Sequence, residues 1–360
     1  MNDTPALGLG GFLLGLGIGW LVFKEFFITS SNFAWLLILI GVVVVISAII
    51  GRFSPSFNIG RLIGGAAGGL VLALILTQGI GFINLIPGAD GGRLPYSSTE
   101  SKQYSGASSF SNVYLILESI NGPVTISTWD KTEYRIEAII TARGASQQEA
   151  DENLAKLGKE IVKEENGETL KLTLIYRSQI IINSPYQISV DVKLPANAMK
   201  QLEITTSNAA INLSNIKGNS ITLQTSNGQI NLTNIEADLI KASTSNAQIR
   251  GNVEAITFTA STSNARVELS LPSQYSGTYD ISTSNAAVII TVGQSAAYRL
   301  KGSTTNAEVS FNLPDLVYST NTKTRKEAQS SNYDQLSTKI IIDIQTSNAN
   351  IDVRRNISSI

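Results

Sequence analysis

The sequence predicts a mainly β fold: a β-solenoid of about seven to eight coils with a small helix-hairpin insertion, preceded by three transmembrane α-helices. Three observations carry this reading. A Thr-Ser-Asn-Ala tetrapeptide, with small variations, recurs with its Asn at 208, 227, 246, 264, 285, 306 and 348, at intervals of 19, 19, 18, 21, 21 and 42. Apolar and polar residues alternate on both sides of each Asn, which is the period of a half-buried strand. Before Pro87 the chain is almost free of charge, with only Asp3, Lys24, Glu25, Arg52 and Arg61.

In chain order, the first element is a membrane domain over residues 1–87. Ala6–Phe23, Phe33–Ile50 and Leu62–Ile86 are uncharged apolar runs, and about 20 such residues cross a bilayer. Loop Gly51–Arg61 holds two arginines and no acid, so the positive-inside rule puts it in the cytoplasm. A multi-pass plasma-membrane topology follows, with the N-terminus cytoplasmic and the C-terminal domain extracytoplasmic. Gly11, Gly15 and Gly19 share a helical stripe, as do Gly64 and Gly68, and small residues at that spacing let helices pack closely. Such stripes suit packing within the chain or homo-oligomerisation through the membrane helices. Residues 88–111 are rich in Gly and Ser without an apolar period and read as a flexible tether.

Residues 112–360 form the solenoid domain. Ser146-Gln-Gln-Glu149 is a capping box, and Ala150, Leu154, Leu157 and Ile161 continue it at helical spacing, predicting a helix near 147–163. Asn166-Gly167 then signals a hairpin into strand Thr169–Tyr176. In the repeats, Leu202, Ile221, Ile240, Phe258, Tyr279, Leu300 and Ile342 stand six residues before the Asn. Ile211, Ile230, Ile249, Val267, Val288, Val309 and Ile351 stand three after it. The inward parity shifts by one across the Asn, which marks a corner, and Asn tolerates positive φ better than most residues. Asn208, Asn227, Asn246, Asn264, Asn285, Asn306 and Asn348 are therefore expected as structural corners, with Asn121 an outlying earlier copy. The 42-residue interval leaves about 315–338 as an exposed loop or a degenerate coil.

Composition removes much chemistry. The chain has no His and no Cys, which excludes Ser-His-Asp and Cys-His nucleophiles, thiol redox centres and the usual zinc sites. A net charge of −1 gives no electrostatic case for nucleic acid. Ser214 and Lys217 match a Ser-x-x-Lys spacing but lie on strand and turn, whereas that dyad needs a helix. The carboxylates Asp191, Glu203, Asp238, Glu254, Glu268, Asp280, Glu308, Asp343 and Asp352 are scattered at mostly outward positions, unlike the paired acids of a glycosidase. Catalytic, cofactor-binding and metal-binding residues are accordingly expected to be absent, and no cofactor is implied. Asn212, Asn231 and Asn356 open Asn-x-Ser/Thr sequons and are candidate glycosylation acceptors.

The order of Asn121-Gly122, helix with hairpin, Val192-Lys-Leu-Pro195 and tandem Thr-Ser-Asn-Ala coils resembles the domain family of unknown function called "putative adhesin". The glycine-rich residues 6–87 are similar in layout to envelope-stress membrane proteins of the LiaF and toast-rack type. The resemblance implies the solenoid fold and supplies no catalytic residues. The expectation is a membrane-anchored, non-enzymatic cell-envelope protein presenting a rigid solenoid to a protein or surface-layer partner. The alternative is an envelope-stress sensor acting through its transmembrane helices.

Overall fold

A computed structural model of the chain describes residues 4–25, 66, 94–107, 110–178, 184–272 and 274–356. It divides into two compact units, Met1–Arg93 and Leu94–Ile360. In the first unit, helix α1 spans Thr4–Glu25 and covers the first expected membrane run. Among the described residues no helix is long and apolar enough to cross a membrane, which overturns the three-span topology and the plasma-membrane placement. Gly8, Gly10, Gly11, Gly15, Gly17 and Gly19 lengthen α1 without adding the apolar side-chain area that bilayer transfer rewards. The runs expected over 33–50 and 62–86, including Gly64 and Gly68, lie outside the described residues apart from Ala66. At Gly15, a side chain would collide with the backbone carbonyl of Ala66.

The second unit is mainly β. Strands β8 (Met199–Thr206), β9 (Ile211–Thr225), β10 (Ile230–Ser243), β11 (Ile249–Thr262) and β12 (Val267–Leu271) wind through successive coils. Each coil pairs in parallel with the next, Ile211 on Ile230 on Ile249 on Val267, so like residues sit over like. The column continues through Val288, Ile351 and Val309, and every member is 0% exposed. A second inward column runs Leu115, Leu202, Ile221, Ile240, Phe258, Tyr279, Ile342 and Leu300. One coil buries only a few such side chains, far short of its ordering entropy; stacking supplies the remaining burial and hydrogen bonds.

Spatial order departs from sequence order at both ends. β13 (Gly277–Thr283) and β14 (Val288–Val292) are followed in sequence by β15 (Ala297–Ser303) and β16 (Val309–Asn312). Yet β19 (Lys339–Gln345) and β20 (Ile351–Arg355) lie between them, β19 pairing with both β13 and β15 and β20 with both β14 and β16. The N-terminal end repeats the arrangement. β2 (Asn112–Ser119) lies between β6 (Thr169–Arg177) and β8, and β3 (Asn121–Trp129) lies between β7 (Tyr186–Pro195) and β9.

Antiparallel strands cover both ends of the stack. β4 (Glu133–Gly144) pairs with β7, and β1 (Tyr96–Ala107) pairs with β4. The tether expected over 88–111 is thus a strand from Tyr96 to Ala107. Tyr104 packs on the core, and Glu100 binds Lys102 at 2.7 Å and also Lys159. The helix expected to reach 163 is shorter: α2 spans Gln147–Lys156. Its cap forms as read, with Ser146 Oγ accepting from Glu149 N at 3.1 Å while Glu149 Oε2 accepts from Ala145 N at 2.8 Å. Leu157 is already extended, and Gly158–Asn166 forms β5, which pairs with β6 through the Gly167 turn. That ladder and β-branched Ile161 and Val162 outweigh the helical spacing. At the other end the expected loop is a hairpin, β17 (Leu316–Asn321) and β18 (Arg325–Ser330). β18 pairs antiparallel with β15, closing an edge that would otherwise recruit other strands.

Candidate interaction surface

The exposed corner is a continuous ladder of side-chain amides. Asn208 Nδ2 donates to Asn121 Oδ1 at 2.6 Å, Asn227 to Asn208 at 2.5 Å, and Asn246 to Asn227 at 2.6 Å. Asn264, Asn285, Asn348 and Asn306 follow at 2.7, 2.8, 2.8 and 2.7 Å, each donating to the residue before it in space. Asn348 sits between Asn285 and Asn306, as the interleaved coil requires. All bonds point the same way, so successive amides polarise one another. Behind the ladder, Thr225, Thr244, Thr262, Thr304 and Thr346 are buried, each hydroxyl donating to carbonyls of the neighbouring coil at 3.2–3.5 Å.

These corners differ from the expected ones in backbone. Among the described residues the non-glycine positions with positive φ are Asn121, Asn215, Asn234 and Asp315, so the seven tetrapeptide asparagines are not left-handed. Their corner is made by the Ser carbonyls instead: Ser207 O accepts from both Ser226 N and Asn227 N at 3.0 Å, and Ser226 O likewise from Ser245 N and Asn246 N. Asn is used for its amide. Of the left-handed asparagines, Asn121 heads the ladder, while Asn215 and Asn234 form a second corner, where Asn234 Nδ2 donates to Asn215 Oδ1 at 3.0 Å. Asn-Ile after Ser or Thr, in Ser214-Asn215-Ile216 and Thr233-Asn234-Ile235, was the signal for it.

The sequon residues fall on the face after the corner. Asn231 Nδ2 donates to half-buried Asn212 Oδ1 at 2.7 Å, and Asn231 Oδ1 accepts from Arg250 Nε at 2.7 Å. Both amides are engaged in the folded chain, whereas Asn356 is exposed. Ser214 and Lys217 are not brought together as a dyad, because Lys217 Nζ binds Glu236 at 2.7 Å. Among the described residues no group of three or more His, Cys, Asp or Glu is placed to hold a metal.

Two features were not legible as site signals. Lys200 is 1% exposed, and its Nζ donates to the Ala196 carbonyl at 2.8 Å. Burial pulls its ammonium down to about 8. The other is a groove of about 370 Å³ beside a third turn of the coils, at Gly218, Ala237 and Ala255, lined also by Met199, Ile256 and Tyr275 and by the charged Lys217, Glu236, Asp238 and Glu254. Burial, and then the charge of Glu236, hold the Glu254 carboxyl above its usual range.

No family model matches the chain, and no curated protein does. Among solved structures, it is similar to a "putative cell adhesion protein" from Clostridium sporogenes at 10% identity and a TM-score of 0.36, covering 72% of this chain and 100% of that one. It is also similar to a "putative adhesin" from Bacteroides fragilis, at 11% identity, a TM-score of 0.26 and coverage of 71% and 97%. A "putative lipid binding protein" from Parabacteroides distasonis gives 10%, 0.29, 72% and 97%. At these scores the likenesses carry no argument about what this chain binds. None of the three is named as an envelope-stress protein, so the resemblance of residues 6–87 to that type gains no support.

Proposed function

We propose that the chain is a non-enzymatic contact module, a rigid stack that presents ordered polar columns to a protein or surface partner. The observation that carries this reading is the outward alternation of the coils. Thr222, Lys241 and Thr259 stand in register on one face, and Gln224, Ser243 and Ser261 stand beside them. Ser261 Oγ lies 3.2 Å from Ser243 Oγ, so the serine column is held in part by a bond of its own. A surface held in place before contact loses little side-chain entropy when a partner arrives.

Proximity labelling from a tag after the last residue, in native cells, tests the reading. The expected result is a reproducible set of neighbours that disappears when Thr222 and Thr259 are both changed to Glu, with the circular dichroism spectrum unchanged. An identical set from the parent and the variant overturns contact through this face.

A further inference from the structure

The groove at the third turn has a construction of its own. Gly218, Ala237 and Ala255 stack in register there, so the wall is recessed where other columns carry large side chains. Strand pairing then stops at Leu271 and resumes at Gly277, and Tyr275 lies in the connection between them, at one side of the recess. Ile256 and Tyr275 are 60% and 50% exposed, among the most open large apolar residues of this unit. Isolated exposed apolar side chains are ordinary, but two that flank one cavity mark a contact surface.

Charge decides the occupant. Lys217 is committed to Glu236 at 2.7 Å, and among the described residues neither Asp238 nor Glu254 forms an ion pair. The rim therefore carries uncompensated negative charge around an apolar wall; burial raises the Glu254 carboxyl, and the charge of Glu236 adds to that. A cation placed there gains attraction that bulk water would screen. Anionic lipid headgroups meet repulsion, so a membrane is not the partner. We propose that this groove docks a segment of a partner protein that sets a lysine or arginine beside an apolar side chain. The apolar group lies on Ile256 and Tyr275 while the cation meets Asp238 and Glu254. This proposal rests on the contact-module reading and names one site of contact.

The test is fluorescence anisotropy of the full chain with a short labelled peptide of alternating Leu and Lys. Peptides of alternating Ser and Lys and of alternating Leu and Glu, and vesicles of anionic lipid, are the comparisons. The Leu-Lys peptide is expected to bind at least about tenfold more tightly than either other peptide. Ile256→Ser and the double variant Asp238→Asn/Glu254→Gln are each expected to lose about tenfold, at unchanged thermal midpoint. Equal binding of the Ser-Lys peptide reduces the site to bare charge and overturns the proposal, as does Leu-Lys binding that neither variant weakens. Equal or tighter binding of the vesicles overturns the choice of partner. Failure here with Thr222/Thr259-dependent labelling intact removes the groove alone. Loss of that dependence with peptide binding retained removes the broader reading instead.

Discussion

Lys200→Met is expected to stabilise the protein at neutral pH, by an amount that shrinks as the pH rises. In the folded chain the ammonium is 1% exposed with the Ala196 carbonyl as acceptor, and it titrates at about 8 instead of 10.5. The unfolded chain therefore binds more protons at this residue between about pH 8 and 10.5, and stability conferred through Lys200 rises with pH across that window. A shift of this size costs the folded state about 3 kcal/mol at pH 7, falling to about 1 kcal/mol at pH 9.5. Methionine fills a similar volume without the charge, and loses about 1 kcal/mol with the hydrogen bond. Urea melts of parent and variant at pH 7 and pH 9.5 measure the effect. The variant should be about 2 kcal/mol more stable at pH 7 and level with the parent at pH 9.5. A stability difference independent of pH refutes the reasoning, because it leaves Lys200 charged and solvated in the fold.

Three further outcomes follow from the stack. Asn246→Asp sets a carboxylate oxygen against Asn227 Oδ1, a repulsion that Asn246→Ala lacks, so it should cost more than the alanine variant, which removes two exposed bonds worth about 1–2 kcal/mol in denaturant melts. Gly251 has φ of 151° and its missing side chain would strike the Leu232 carbonyl. Gly251→Ala should therefore lose about 2–3 kcal/mol, read as a lower urea midpoint at constant slope. Removing residues 339–360 takes out a coil held on both sides, so the truncated chain should bind a hydrophobic dye and lack, in calorimetry, the single cooperative transition expected of the full chain.

Periodicity made the coils legible because burial imposes it: the column from Ile211 to Val309 is apolar at each copy, and the structure buries each member. What escaped the sequence was of two kinds. Side-chain amides bonding to one another leave the same Asn column as a left-handed backbone does, so the Asn208–Asn348 corners were assigned the wrong geometry. Pairing partners far apart in sequence were equally hidden. Nothing local to Tyr96–Ala107 announces that β4 awaits it, and Ile161 keeps helical spacing while its backbone joins a ladder with Leu174. The apolar runs before Pro87 follow the ordinary length rule for membrane helices, and in α1 the six glycines dilute the surface that the rule counts. Lys200 gave no signal in the sequence, because a buried lysine leaves no pattern of its own.

The interleaved ends also fix where such a chain can change length over evolutionary time. Between Met199 and Val292 the order of coils in space is the order in sequence, so duplicating a unit of 18 to 21 residues there inserts a coil and shifts everything beyond it as a block. Duplication of the first or last coil has no such solution. The copy of 339–355 would have to share a slot already bounded by two neighbours. Relatives of this chain should therefore differ in the number of their middle coils while keeping both ends constant, each end acting as a fixed frame around an adjustable interior.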